Sequence, residues 1–170
     1  MKATDLITGC STGIGYVCAH GLHEKGYNFI ASCRHQEDVE RLRSEGLTCV
    51  QLDVSLQDSI SNGLSEALKL TEGKIDILFN NGAYGQAGAL EDLPTEALRE
   101  QFETNVFGLH ELTQAVIPIM RRQGHGKIIQ HSSVLGLISL KYRGAYNASK
   151  YAIESLTETL RLESEGSNIF

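Results

Sequence analysis

Five short apolar runs recur along the chain, at residues 4–7, 28–32 (NFIAS), 48–52 (TCVQL), 75–80 (IDILFN) and 126–132 (GKIIQHS). A strand with one face in water alternates apolar and polar residues, whereas most of these runs do not, so they call for burial on both faces. Helical stretches lie between and after them, near 13–25, 36–45, 56–71, 96–122 and 144–165. Gly26, Gly46, Gly73 and Gly124 fall where four of these helices should end, because glycine takes the left-handed conformation of a helix C-terminus at no steric cost. Strand and helix in alternation predict an α/β doubly wound parallel sheet with right-handed crossovers. Pro118 lies inside the fourth helical region and should kink it. Asp5 resists this reading, since it sets a charge in a first strand that should be buried.

At 170 residues the chain is expected to form one domain over 1–170 and to bury roughly 70% of its unfolded surface. Lysine and arginine number 15 against 21 acidic residues, a net charge of −6 that gives no reason to expect a nucleic-acid partner. Cys10, Cys18, Cys33 and Cys49 form no C-x-x-C pair, which suits reduced thiols in a cytoplasmic protein. No stretch approaches the ~20 apolar residues of a membrane span, and no metal-ligand set is apparent.

The first strand runs into Thr8-Gly9-Cys10-Ser11-Thr12-Gly13-Ile14-Gly15 and then a helix. Glycines there let the backbone turn tightly and approach a phosphate, while the helix offers unpaired N–H groups and the positive end of its dipole. The same letters contain a literal G-x-S-x-G around Ser11, the pattern that presents a hydrolase serine between strand and helix. That alternative needs an acid and a histidine, and His110, His125 and His131 follow. However, such a serine usually comes later in the sheet than its first strand.

Tyr146 stands four residues before Lys150 in AYNASKYA. On a helix these positions share a face, about 5–6 Å apart at Cβ. A free phenol with a pKa near ~10 is a poor base at neutral pH, but a neighbouring ammonium favours the phenolate. Such a pair suits proton exchange with a substrate oxygen. Seen alone, it is more often a solvated surface contact.

With TGCSTGIG, the YNASK motif makes the chain resemble the short-chain dehydrogenase/reductase family, in its retinol- and hydroxysteroid-dehydrogenase-like branch. Further matches follow in order along the chain: Asp53-Val54, Asn80-Asn81-Gly82-Ala83, Asn105, and Ser133 placed 13 residues before Tyr146. The resemblance implies a Rossmann-type sheet of order 3-2-1-4-5 and an oxidoreductase acting between a nicotinamide and a carbonyl or alcohol. It implies catalytic roles for Asn105, Ser133, Tyr146 and Lys150, although Ser133 has a plainer reading as a cap of the following turn. It also implies a dinucleotide held by Gly9, Ser11, Thr12, Gly13, Ile14, Gly15, Arg34, Asp53, Val54, Asn81, Tyr146 and Lys150. By the same resemblance the fourth helical region and the 144–165 helix pair subunits into a homo-oligomer.

At the end of the second strand, Cys33 takes the place where an acidic residue would hold ribose hydroxyls, and Arg34 follows. A guanidinium there suits a 2′-phosphate, so NADP(H) is expected over NAD(H), which remains an alternative. Leu135, Leu137, Ile138, Leu140 and Tyr142 are expected to form an apolar wall for a bulky aldehyde, ketone or alcohol. Two departures from the family stand out: Gly82-Ala83 inverts its usual order, and the chain is short. Ser167–Phe170 reads as the entry to a sixth strand, with no seventh and no substrate lid. The alternative function is therefore a nucleotide-binding fragment without catalysis.

Overall fold

The computed structural model describes residues 4–170. Strands β1 (Thr4–Ile7), β2 (Asn28–Cys33), β3 (Cys49–Gln51), β4 (Ile77–Asn80) and β5 (Lys127–Gln130) form one parallel sheet in the order β3-β2-β1-β4-β5. They are linked by α1 (Gly13–Glu24), α2 (Gln36–Ser44), α3 (Gln57–Leu70), α4 (Thr95–Phe102) and α5 (Leu109–Gln123), and β5 leads to α6 (Gly144–Glu163). The strand order reverses between β1 and β4. That is where a doubly wound sheet opens a crevice at the carboxyl ends of its strands.

The unalternating runs bury both faces as the sequence predicts. Leu6, Ile30, Val50 and Leu78 pack with α3 and α5, while Ile7, Ala31, Cys33, Cys49 and Phe79 pack with α1 and α2. Cover thins at β5, where Ile129 is 41% exposed. Beyond β5, Gly126 bridges Ile169 in parallel, and Ile128 N donates to the Phe170 carbonyl at 2.7 Å. The last residues thus lie in the direction of a sixth strand. The four glycines expected at helix ends all take positive φ. At Gly124 (φ 78°) the turn lets two N–H groups return to the last carbonyls of α5.

The fourth helical region is not one α-helix. Between α4 and α5 the backbone widens into a π-helical turn, Glu103–Gly108. A side chain at Gly108 would collide with the Val54 carbonyl, and Asn105, inside the turn, is fully buried. Single π turns of this kind recur at functional sites. By contrast, the helix runs on through Pro118 to Gln123. Pro118 deprives the carbonyl four residues back of its partner, but Gln114 and Pro118 both face solvent. The interruption of regular α-helix in this region falls at 103–108.

Asp5 keeps its oddity. Its Oδ1 is buried without a partner, and burial, with Asp76 nearby, raises its pKa to about 6. Asp76 itself is engaged, accepting from Thr4 N at 2.7 Å and contacting His125 Nε2 at 2.8 Å.

Candidate active site

The glycine turn is fixed from three sides. Thr8 N donates to the Phe79 carbonyl at 3.0 Å and Cys10 N to the Ser32 carbonyl at 2.9 Å. Thr8 Oγ1 accepts from Asn81 N and Gly82 N at 3.0 and 2.9 Å. Asn81 Nδ2 donates back to the carbonyls of Thr8 and Gly9, at 2.9 and 3.1 Å. A Cβ at Gly9 would lie 2.7 Å from Gly82 Cα, and one at Gly15 would collide with the Gly9 carbonyl. The glycine at 82 thus serves close approach to the turn, and the Gly82-Ala83 inversion is accommodated. Arg41, which the sequence reading overlooked, donates to the Ser11 carbonyl at 2.7 Å while pairing with Asp38 and Glu45.

Above this turn α1 begins with Thr12 as its N-cap, whose side chain makes no capping hydrogen bond. The first N–H groups of α1 are therefore free for an anion. They open on a cavity of about 390 Å³ lined by Gly9, Ser11, Thr12, Gly13, Ile14, Arg34, Asp53, Val54 and Asn81. Gly15 lies behind that wall. Arg34 is exposed; its Nε donates to His35 Nε2 at 3.1 Å and its carbonyl accepts from Gln51 Nε2 at 3.1 Å, and among the described residues no carboxylate pairs with it. Cys33 is fully buried, its Sγ 3.9 Å from that of Cys49, and that contact and burial hold its thiol proton firmly. It does not face the cavity as a carboxylate would. Asp53 is turned to its own loop, accepting from Ser55 N and Oγ.

A second cavity, about 490 Å³, shares Asn81, Ala83 and Tyr84 with the first. Its wall holds Tyr146, Lys150, His131, Ser132, Gly85, Leu135, Leu140 and Arg143. The Tyr146 ring packs against Gly85. Lys150 is 2% exposed; its Nζ lies 5.5 Å from the Tyr146 ring centroid and donates to the His131 carbonyl. Burial lowers its pKa to about 8, with Glu154 opposing. The expected tyrosine and lysine thus meet in one cavity beside the glycine turn.

Ser133 and Asn105 are placed less simply. Ser133 Oγ accepts from Leu135 N at 3.1 Å, capping a short 3-10 turn over Val134–Gly136. That is the plainer role weighed for it, and it leaves the hydroxyl proton free to donate. The cavity wall carries Ser132, whose Oγ is buried without a partner. Asn105 sits below Tyr84, with Oδ1 accepting from Tyr84 N and Nδ2 donating to Tyr84 O and Ser149 Oγ. One helical turn before it, fully buried Gln101 braces Gln86 N and Tyr84 O in the same way. Buried amides at 101 and 105, four apart on one helix face, were a signal available in the sequence but not used.

Of the expected apolar wall, Leu135 and Leu140 line this cavity. Leu137 and Ile138 are more than half exposed, and Tyr142 belongs to a neighbouring hollow. Among the described residues no histidine hydrogen-bonds the Ser11 side chain: His125 contacts Asp76, His131 contacts Asn81, and His110 is exposed on α5. A further cavity, about 910 Å³, lies at the opposite ends of the strands, around Thr4, Asp76 and His125, and holds none of the expected residues. Among the described residues no cluster could hold a metal, and no helix is long and apolar enough to cross a membrane.

Comparison with known proteins matches residues 4–170 to the short chain dehydrogenase family. An uncharacterized oxidoreductase of Escherichia coli, YbbO, is 41% identical over 99% of this chain, and human retinol dehydrogenase 8 is 38% identical over 98% of it. The chain spans 63% and 56% of their respective lengths. A short-chain dehydrogenase from Streptomyces avermitilis superposes with a TM-score of 0.91 at 32% identity, over 99% of this chain and 63% of that one. A gluconate 5-dehydrogenase from Burkholderia cenocepacia, solved with NADP and tartrate, gives 0.87 at 28%, over 99% and 69%.

Proposed function

The chain belongs to the short-chain dehydrogenase family, and on that premise we propose that it is an NADP(H)-dependent oxidoreductase acting between a bulky apolar carbonyl compound and its alcohol. The observation that carries this reading is the adjoining pair of cavities, one floored by the uncapped start of α1 and the other walled by Tyr146 and Lys150.

The residues present fit a dinucleotide. Side chains at Gly9 or Gly15 would fill the turn that a pyrophosphate must approach, and Arg34 offers an uncommitted guanidinium to a 2′-phosphate at the rim. The nicotinamide supplies the hydride chemistry when bound. Tyr146 delivers or receives the proton of the substrate oxygen. Lys150, held at the His131 carbonyl, keeps a positive charge beside the phenol. Ser133 donates its free proton to the substrate oxygen and stabilises charge developing there. Asn105 shapes the floor through Tyr84 and the π turn, where the family resemblance expects it to hold a water of the proton relay. Leu135 and Leu140 give the substrate side its apolar contact.

Exposed Phe107, Tyr151, Leu156 and Leu162, on the π turn and α6, support a homo-oligomer. Four free cysteines support a reducing, cytoplasmic setting.

A second reading is favoured by the open cover over β5, where Ile129 is 41% exposed: a domain that binds the dinucleotide but does not turn over. Titration with NADPH, followed by an assay of aldehyde-dependent NADPH loss, decides. Turnover abolished by Tyr146→Phe supports the enzyme, binding without turnover supports the second reading, and no binding sinks both.

A further inference from the structure

The cavity of Tyr146 and Lys150 has one more polar wall, which the reaction above does not use. His131 follows β5 directly, and its ring lies 5.9 Å from that of Phe79, with Nδ1 3.0 Å from Asn81 Oδ1. The Asn81 amide has only one orientation that works, because its nitrogen faces the carbonyls of Thr8 and Gly9, which only accept. Its oxygen is therefore the atom facing the ring, and a carboxamide oxygen only accepts as well. The hydrogen of the imidazole must sit on Nδ1. Burial first, and the Lys150 charge second, lower the pKa of the ring, so it is neutral at physiological pH.

A neutral imidazole with its hydrogen on Nδ1 carries a lone pair on Nε2 and no donor there. Among the described residues that nitrogen has no partner, and it is absent from the buried unsatisfied atoms, so it reaches the cavity its ring lines. The same residue gives its carbonyl to Lys150. One backbone unit thus fixes the ammonium and presents an acceptor a short distance away.

We propose that His131 is a positioning residue for the nicotinamide half of the dinucleotide, its Nε2 accepting a hydrogen bond from an O–H or N–H donor on that half. This rests on the dinucleotide-binding reading. The side chain sets the ligand relative to Lys150 and takes no proton in the reaction. On this reading the adenosine half would occupy the other cavity, beyond Asn81, and would leave the His131 ring untouched.

The test is ¹⁵N NMR of histidine-labelled wild-type protein, with His131 assigned by its loss in His131→Phe. In the free protein the ring should report hydrogen on Nδ1. Saturating NADPH should move the Nε2 resonance as it becomes an acceptor, and 2′,5′-ADP, which lacks the nicotinamide half, should leave it in place. In parallel, His131→Phe should bind NADPH about five- to tenfold more weakly, the loss of one hydrogen bond, with 2′,5′-ADP affinity unchanged. Hydrogen on Nε2 in the free protein, or NADPH binding that leaves Nε2 unmoved, overturns the role of His131 alone. Failure of both NADPH and NADH to bind overturns the dinucleotide reading and this proposal with it.

Discussion

Asn105 and Tyr84 exchange two hydrogen bonds: Tyr84 N donates to Asn105 Oδ1 at 3.1 Å, and Asn105 Nδ2 donates to Tyr84 O at 2.9 Å. A side chain that occupies both main-chain groups of one residue holds that residue as a strand partner would. Tyr84 lines both cavities, so the consequence reaches the site. Asn105→Ala should leave both groups unpaired and lower the unfolding free energy by about 2–3 kcal/mol. It should also weaken NADPH binding. Urea denaturation and fluorescence titration measure the two effects, and a variant as stable as wild type would show that the brace is dispensable.

Lys150 makes stability depend on alkaline pH. The unfolded chain keeps this proton up to about 10.5, whereas the buried amine releases it near 8. Between those values the folded state binds fewer protons, so its stability rises with pH across that window. The penalty relieved is on the order of 3 kcal/mol. Denaturation curves between pH 7.5 and 10.5 should show this rise against Lys150→Met, which lacks it.

Asp5 acts in the opposite direction. Its folded pKa of about 6 lies above its ordinary value, so ionisation at neutral pH costs stability that returns as pH falls from about 6 to about 4. Asp5→Asn should therefore be more stable than wild type by about 1 kcal/mol at pH 7.5. The two melting temperatures should converge by pH 4. A variant less stable at pH 7.5 would mean that the carboxylate has a role in the fold.

Arg34 should separate the two nicotinamide cofactors. Arg34→Ala is expected to lose about tenfold in NADPH affinity, the worth of one exposed charge-assisted contact, and to keep its NADH affinity. Calorimetric titration with both cofactors gives the ratio. Equal losses for the two would remove the 2′-phosphate from the picture.

The sheet was legible because its signal is local and redundant. Runs such as NFIAS must bury both faces, and glycines at four helix ends mark where the chain turns back. The π turn was not legible, since the weak helix formers of ETNVFG do not tell a π turn from an ordinary helix end. Its partners are distant in the sequence: the Val54 carbonyl fills the space a side chain at 108 would need, and Asn105 pairs with the main chain of Tyr84. At Pro118 the helix continues to Gln123, and the carbonyl freed at Gln114 lies on the solvent side. Within the site, the glycine turn and the Tyr146–Lys150 pair were readable as spacings. The hydrogen bond from Lys150 to the His131 carbonyl was not, since spacing within a helix says nothing of the strand beside it.

Asn81 fastens the glycine turn with its nitrogen and the His131 ring with its oxygen. A single amide thus ties a wall of one hollow to a wall of the other. On the proposed reading, a ligand long enough to span both would be held at each end, whereas a mononucleotide would meet only one.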